Sequence, residues 1–299
     1  VRWLAERAGA NRRTVLATAL GLLLIANAGL TFRDYFVRWP QIDDVRAFHH
    51  AGLAEVARYL DRAPEATPVA ACTPFLNEEH FFWRTDRQAL PYLLNRRDVD
   101  FGWYSCLEAQ LFPRGGETGR YLFGEDWTFA PFVPSTWVEQ AQTCATFRDE
   151  RMVCVEAADQ LQTWLDQLSR PDTAVPSFGE TMAFLGYQYE GSLIRSPGDT
   201  LEILTAWRVL DTPPNDLAVF LHIVASDGKL VAQGDALAAL SDTLQPEDVF
   251  VQRHTVALGT DVQPGQYRLT AGLYVRGGSR LSLDSGSGDT LILETVEIR

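Results

Sequence analysis

The order of apolar and polar positions divides the chain into three kinds of segment. Residues 14–32, TVLATALGLLLIANAGLTF, carry no charge and lie between Arg13 and Arg33. As a helix the run is about 28 Å long, close to the ~30 Å hydrocarbon core of a bilayer. Residues 45–62 repeat at helical spacing, with Phe48, Leu53, Val56, Ala57 and Leu60 on one face, and predict an amphipathic helix closed by Pro64 and Pro68. From residue 178 onward the period changes to two. Leu201, Ile203, Thr205, Trp207 and Val209 alternate, as do Tyr267, Leu269, Ala271, Leu273 and Val275. Turns such as Ser226-Asp227-Gly228-Lys229 and Gln263-Pro264-Gly265 separate these runs. Seven or eight strands over about 120 residues predict an antiparallel, immunoglobulin-like β-sandwich.

Between helix and sandwich the pattern is mixed. Strands are expected at 69–72, 99–104, 108–112 and 121–123. Helices are expected from Asp86, from Ser135 or Thr136, and over 156–168, the last with Ala157, Leu161, Trp164, Leu165 and Leu168 inward. Strands alternating with helices suggest a small three-layer α/β unit. Residues 169–177, SRPDTAVPS, read as a linker. The expected architecture is therefore α+β and multidomain: a cytoplasmic N-terminus at 1–13, a transmembrane helix at 14–32, an α/β module at 33–168 and a sandwich at 178–299.

Charge gives the apolar run its direction. Four arginines precede it against one acid, Glu6, which places the N-terminus in the cytoplasm and the rest of the chain outside. A signal peptide cleaved near Ala26-Asn27-Ala28 fits the same run, but its apolar character continues to Phe32, which favours an uncleaved span. Both readings export the body. The expected location is the cell membrane, single-pass, with lipid contacted through residues 14–32. The formal net charge of −13 makes the body a poor partner for nucleic acid or anionic headgroups.

Four cysteines, Cys72, Cys106, Cys144 and Cys154, form no C-x-x-C motif. Cys144 and Cys154 flank a strand–turn–strand pattern that a disulfide can bridge. Cys72 and Cys106 lie by two predicted strands and can pair if these are neighbours. Four reduced, buried cysteines are the alternative.

Candidate chemistry is sparse. Glu78, Glu79 and His80, followed by Trp83, form the most reactive-looking loop, although adjacent residues rarely converge on one metal ion. Asp98-Val99-Asp100 has a metal-holding Asp-x-Asp spacing, yet it opens a strand. His49 and His50 read as surface residues, and His222 and His254 as hydrogen-bonded strand residues. No nucleophile elbow, zinc-binding helix or phosphate-binding glycine loop occurs, so no catalytic residue, metal set or cofactor is assigned.

The junction Phe32-Arg33-Asp34-Tyr35-Phe36-Val37-Arg38-Trp39 resembles the end of the last membrane helix of bacterial GT-C type membrane glycosyltransferases. These are proteins similar to protein mannosyltransferases and aminoarabinose transferases. Their extracytoplasmic tail resembles Phe184-Leu185-Gly186-Tyr187, Pro197-Gly198-Asp199-Thr200-Leu201, Ala206-Trp207-Arg208, Phe220-Leu221-His222, residues 227–233, Arg253-His254 and residues 264–269. The resemblance implies a tail of an enzyme that moves sugar from a polyprenyl-phosphate carrier, or a standalone relative of that tail. The family's catalytic acid belongs to a first external loop with no counterpart here. The expectation is a non-catalytic body that positions a glycan or an acceptor. A standalone carbohydrate- or protein-binding module is the second expectation, and an enzyme with an unrecognised site in the α/β module the third.

Overall fold

The computed structural model describes residues 2–73, 76, 86–117, 119–124, 127–171, 174–286 and 288–299, with side chains from residue 14 onward except 47. The candidate loop residues Glu78, Glu79, His80 and Trp83 lie outside the described residues.

Helix α1 (Arg2–Arg33) continues through a π-helical turn, Asp34–Arg38, and a 3-10 turn, Trp39–Gln41. The helical segment Thr14–Gln41 is long and apolar enough to cross a membrane, and the body buries none of it. It fits a single-pass anchor or a signal peptide. Tyr35 and Trp39 meet edge-to-face at 5.8 Å and Phe32 packs on Phe36 at 4.8 Å, so the junction is aromatic, as interfacial residues tend to be.

The helix expected over residues 45–62 is two helices, α2 (Asp43–Phe48) and α3 (Ala51–Arg62). His50 between them takes a left-handed backbone, φ 50° and ψ 42°, which no α-helix continues through. Leu53, Val56, Ala57 and Leu60 are buried as the spacing predicts, whereas Phe48, on the far side of the break, is exposed.

The first sheet has the order β2-β1-β4-β6-β5, from β1 (Val69–Cys72), β2 (Phe101–Tyr104), β4 (Gly119–Gly124), β5 (Gln142–Thr146) and β6 (Glu150–Val155). β1 runs parallel to both neighbours, and β6 is antiparallel to β4 and β5. One face packs Val69, Ala71, Trp103, Leu122 and Met152 against α3 and against α4 (Asp86–Leu93). The other face carries Ala70, Tyr104, Tyr121, Phe123 and Val153 into a core shared with α5 (Ser135–Val138), α6 (Ala158–Leu165) and the whole C-terminal half.

That half is two further five-stranded sheets, consistent with a β-sandwich. One has the order β3-β13-β10-β8-β7, from β3 (Ala109–Phe112), β7 (Ser177–Phe178), β8 (Met182–Tyr189), β10 (Thr200–Val209) and β13 (Val249–Ala257). The other is β12-β11-β14-β15-β9, from β9 (Ile194–Arg195), β11 (Leu217–Val224), β12 (Leu230–Gln233), β14 (Gly265–Val275) and β15 (Leu291–Ile298). Trp207 sits fully buried at the centre, between Phe184 at 4.9 Å and Phe178 at 5.9 Å.

Two connections bind this half to the first sheet. The strand expected at 108–112 within the α/β unit is instead β3, the edge of a sandwich sheet, antiparallel to β13 with Phe250 opposite Leu111. A strap at residues 234–244 runs in the opposite direction. Ser105 N donates to Ala238 O at 2.8 Å, and Leu240 N donates to Trp103 O at 2.9 Å. The expected linker at 169–177 therefore does not stand between independent cores; one apolar cluster runs from Ala70 to Ile298.

Cys72 is bonded to Cys106, with Cα atoms 5.3 Å apart, and Cys144 to Cys154, with Cα atoms 5.7 Å apart. Both disulfides fit an extracytoplasmic location.

Candidate binding site: an aromatic cavity between two helices

Three segments distant in sequence build the cavity. β3 ends in Phe112, α5 contributes Trp137, and α6 contributes Leu161 and Trp164 one turn apart. The hollow measures about 300 Å³. The ring centroid of Phe112 lies 5.2 Å from that of Trp137 and 6.3 Å from that of Trp164. Phe129, at 4.5 Å, and Tyr121, at 5.6 Å, lock Trp137 from behind. The walls are thus held by the shared core rather than by a loop, which fixes their geometry in advance of any ligand.

The rim is polar but uncharged. Thr136, Gln160, Thr163 and Gln167 surround the opening, and among the described residues no ionisable one lines it. Gln160 donates to the side-chain oxygen of Gln140 at 2.8 Å, which orients its amide. The Thr163 hydroxyl donates to Asp159 O at 2.8 Å, leaving its lone pairs as acceptors. The hollow is thus aromatic in its walls and, among the described residues, rimmed by amides and hydroxyls. The sequence spacing puts Leu161 and Trp164 on a core-facing helix stripe. Nothing in that spacing indicates that Phe112 and Trp137 arrive beside them.

A second polar centre lies where α3 begins. Arg46 Nη2 is 3.0 Å from Glu55 Oε1 and 2.7 Å from Asp149 Oδ2, so α2 is clamped to both α3 and the β5–β6 turn. Arg148 adds a contact of 2.7 Å to Asp43. His50 Nδ1 lies 3.3 Å from Asp86 Oδ1. The Glu150 carboxylate rests on Gly52, where any Cβ would overlap it. Burial first, then Asp149, Asp86 and Glu55, push its pKa up to about 7. It changes charge near neutrality, as proton-handling groups do. His49 and His50 thus stand at a helix break beside this cluster.

The other expected residues hold structure. Asp98 is paired to Arg96 at 2.6 Å and Asp100 lies 4.0 Å from Arg114, so the Asp-x-Asp pair is directed at arginines. Among the described residues no group of three or more His, Cys, Asp or Glu is placed to hold a metal ion. His222 Nε2 lies 3.0 Å from Asp235 Oδ1 without hydrogen-bond geometry, so the strap and β11 abut there. His254 is almost fully buried. Its Nε2 is 2.9 Å from Thr205 Oγ1, and its Nδ1 is 2.9 Å from Gly234 O. Burial lowers its pKa to about 4, so it is a neutral clamp. Gln252 completes the clamp, donating to Ala236 O at 2.9 Å and accepting from Ala238 N at 2.9 Å.

No protein-family model and no curated protein matches the chain. Solved structures align with part of it. The C-terminal domain of wzt aligns at 13% identity over 45% of this chain and 88% of its own, with a TM-score of 0.30. The CARDB domain of the PF1109 protein from Pyrococcus furiosus aligns at 16% identity over 45% and 97%, with a TM-score of 0.26. A Niemann-Pick type C2 protein from Japanese carpenter ant aligns at 7% identity over 44% and 98%, with a TM-score of 0.26.

Proposed function

We propose that the chain is a membrane-tethered, extracytoplasmic body that is not itself catalytic and holds a neutral glycan, or a glycosylated acceptor, in the cavity between α5 and α6. The observation that carries this reading is the uncharged aromatic cavity. Sugar rings present C–H faces to indole rings and hydroxyls to amides and threonines, and Trp137, Trp164, Gln160 and Gln167 supply both kinds of partner. The resemblance to the tails of GT-C type glycosyltransferases supports the same reading. In that setting the body presents the acceptor to a membrane-embedded active site carried elsewhere, and the C-terminal sheets follow an immunoglobulin-like plan. A standalone anchored binding module uses the cavity in the same way.

The test is a glycan array probed with the full chain in a polyoxyethylene detergent, which carries no sugar. The expected result is a set of neutral glycans whose signal falls at least tenfold in Trp164→Ala. Uniform absence of signal removes the glycan role.

A further inference from the structure

We propose that the pocket under the C-terminal half of α3 is a second binding site, one that takes a phosphate group. Arg58 and Arg62 stand one turn apart on α3, and Arg120 rises from β4 beneath them. Two like charges at i and i+4 repel each other, and a third below adds to the strain. The chain has acids in excess, yet none of these three arginines forms an ion pair among the described residues. Glu55, which also lines the pocket, is already committed: one oxygen meets Arg46 at 3.0 Å and the other accepts Arg148 N at 3.4 Å.

The decisive atom is Arg120 Nη1, which is buried and has no hydrogen-bond partner. A guanidinium nitrogen removed from both water and protein acceptors costs free energy, which an anion recovers once the Arg120 side chain turns its fork into the hollow. Three guanidinium-bearing residues lining one hollow supply many N–H donors in planar forks. That suits the several oxygens and multiple charge of a phosphate better than a single carboxylate. The hollow, about 430 Å³, exceeds what one phosphate fills. Its remaining wall is apolar: Tyr59 meets Phe147 edge-to-face at 5.7 Å. The ligand class is therefore a phosphate ester with an apolar portion, either a soluble phosphorylated compound or a lipid headgroup. This site is independent of the glycan reading, because it shares no residue with the aromatic cavity.

Two probes separate the sources: inorganic phosphate, and dihexanoyl-phosphatidylglycerol below its critical micelle concentration. Each is titrated calorimetrically into the full chain in polyoxyethylene detergent. The proposal expects binding that weakens at least tenfold in Arg120→Gln and in Arg62→Gln, and that weakens as salt rises. Phosphate bound as tightly as the lipid indicates a soluble ligand; a tighter lipid indicates a headgroup. Arg120→Gln is also expected to melt no lower than wild type without ligand, since it removes a buried nitrogen that has no partner. Binding of neither probe, or binding unchanged in Arg62→Gln, overturns the proposal. So does a loss confined to Arg120→Gln and accompanied by a lower melting temperature.

Discussion

The two faces of the first sheet differ in what they bury and in the chemistry they frame. Toward α3 and α4 the sheet covers a small, separate core around Val56, Leu60, Trp103 and Met152. Charged groups gather at its rims: the Arg46, Asp149 and Glu150 cluster at one end of α3 and three arginines at the other. Toward α5 and α6 the same sheet opens into a core that runs without interruption to the last strand. The cavity on that side is neutral and aromatic. A small core leaves its margins partly wet, so charges there are solvated or paired except where burial strands an atom, as at Glu150 Oε2 and Arg120 Nη1. A large one excludes most of them; Gln252 and His254 enter it with their hydrogen bonds made, whereas Tyr121 Oη and Trp137 Nε1 enter it without a partner.

Core truncation gives the largest expected effects. Trp207→Ala removes a fully buried ring and is expected to cost roughly 3–5 kcal/mol, and Leu60→Ala about 3 kcal/mol. Urea unfolding followed by tryptophan fluorescence and by far-UV circular dichroism checks both. Because the first sheet joins the two cores, both variants should shift one common transition. Two separate transitions, with only one moved by each variant, would mean that the sheet does not couple the cores on its two faces.

The disulfides come next. Loop-closure entropy assigns roughly 4 kcal/mol to the bond between Cys72 and Cys106, 34 residues apart, and roughly 3 kcal/mol to that between Cys144 and Cys154, 10 residues apart. Paired Cys→Ala variants in the same urea assay should therefore differ in that order. The reverse order places more of the stability at the β5–β6 edge.

The two regions also respond to pH in opposite directions. His254 has a folded pKa of about 4, below its ordinary 6.5, so its contribution is complete above pH 6.5 and is lost as pH falls toward 4. Glu150 has a folded pKa of about 7, above its ordinary 4.5, so stability is lost as pH rises from 4.5 through 7. Glu150→Gln should thus stabilise the protein above pH 7 and change little below pH 4.5. Melting temperatures across pH 4–8 test this, and a Glu150→Gln benefit confined to acid contradicts the assignment.

Local order is legible along the sequence, and long-range pairing is not. The alternation of Leu201, Ile203, Thr205, Trp207 and Val209 identifies β10 because each position has only two faces to choose from. Ala109–Phe112 is legible as a strand for the same reason. Its sheet is not, since four residues say nothing about a partner at Val249–Ala257. The break at His50 lies in one left-handed residue inside an otherwise helical pattern. The aromatic cavity depends on Phe112, Trp137 and Trp164 arriving from separate elements, and each reads in isolation as core. Arg120 likewise reads as an ordinary strand arginine until burial deprives one of its nitrogens of a partner. Glu78, Glu79, His80 and Trp83 belong to the stretch outside the described residues.

The glycan site is tested most directly by a calorimetric titration of the full chain with the strongest neutral glycan from the array. Wild type is compared with Gln167→Ala at the cavity rim and with Arg62→Gln on the opposite face of the sheet. Affinity is expected to be at least threefold weaker in Gln167→Ala and unchanged in Arg62→Gln. Glycan binding that survives Gln167→Ala intact, or that falls in Arg62→Gln, would contradict the assignment of the glycan to the aromatic cavity.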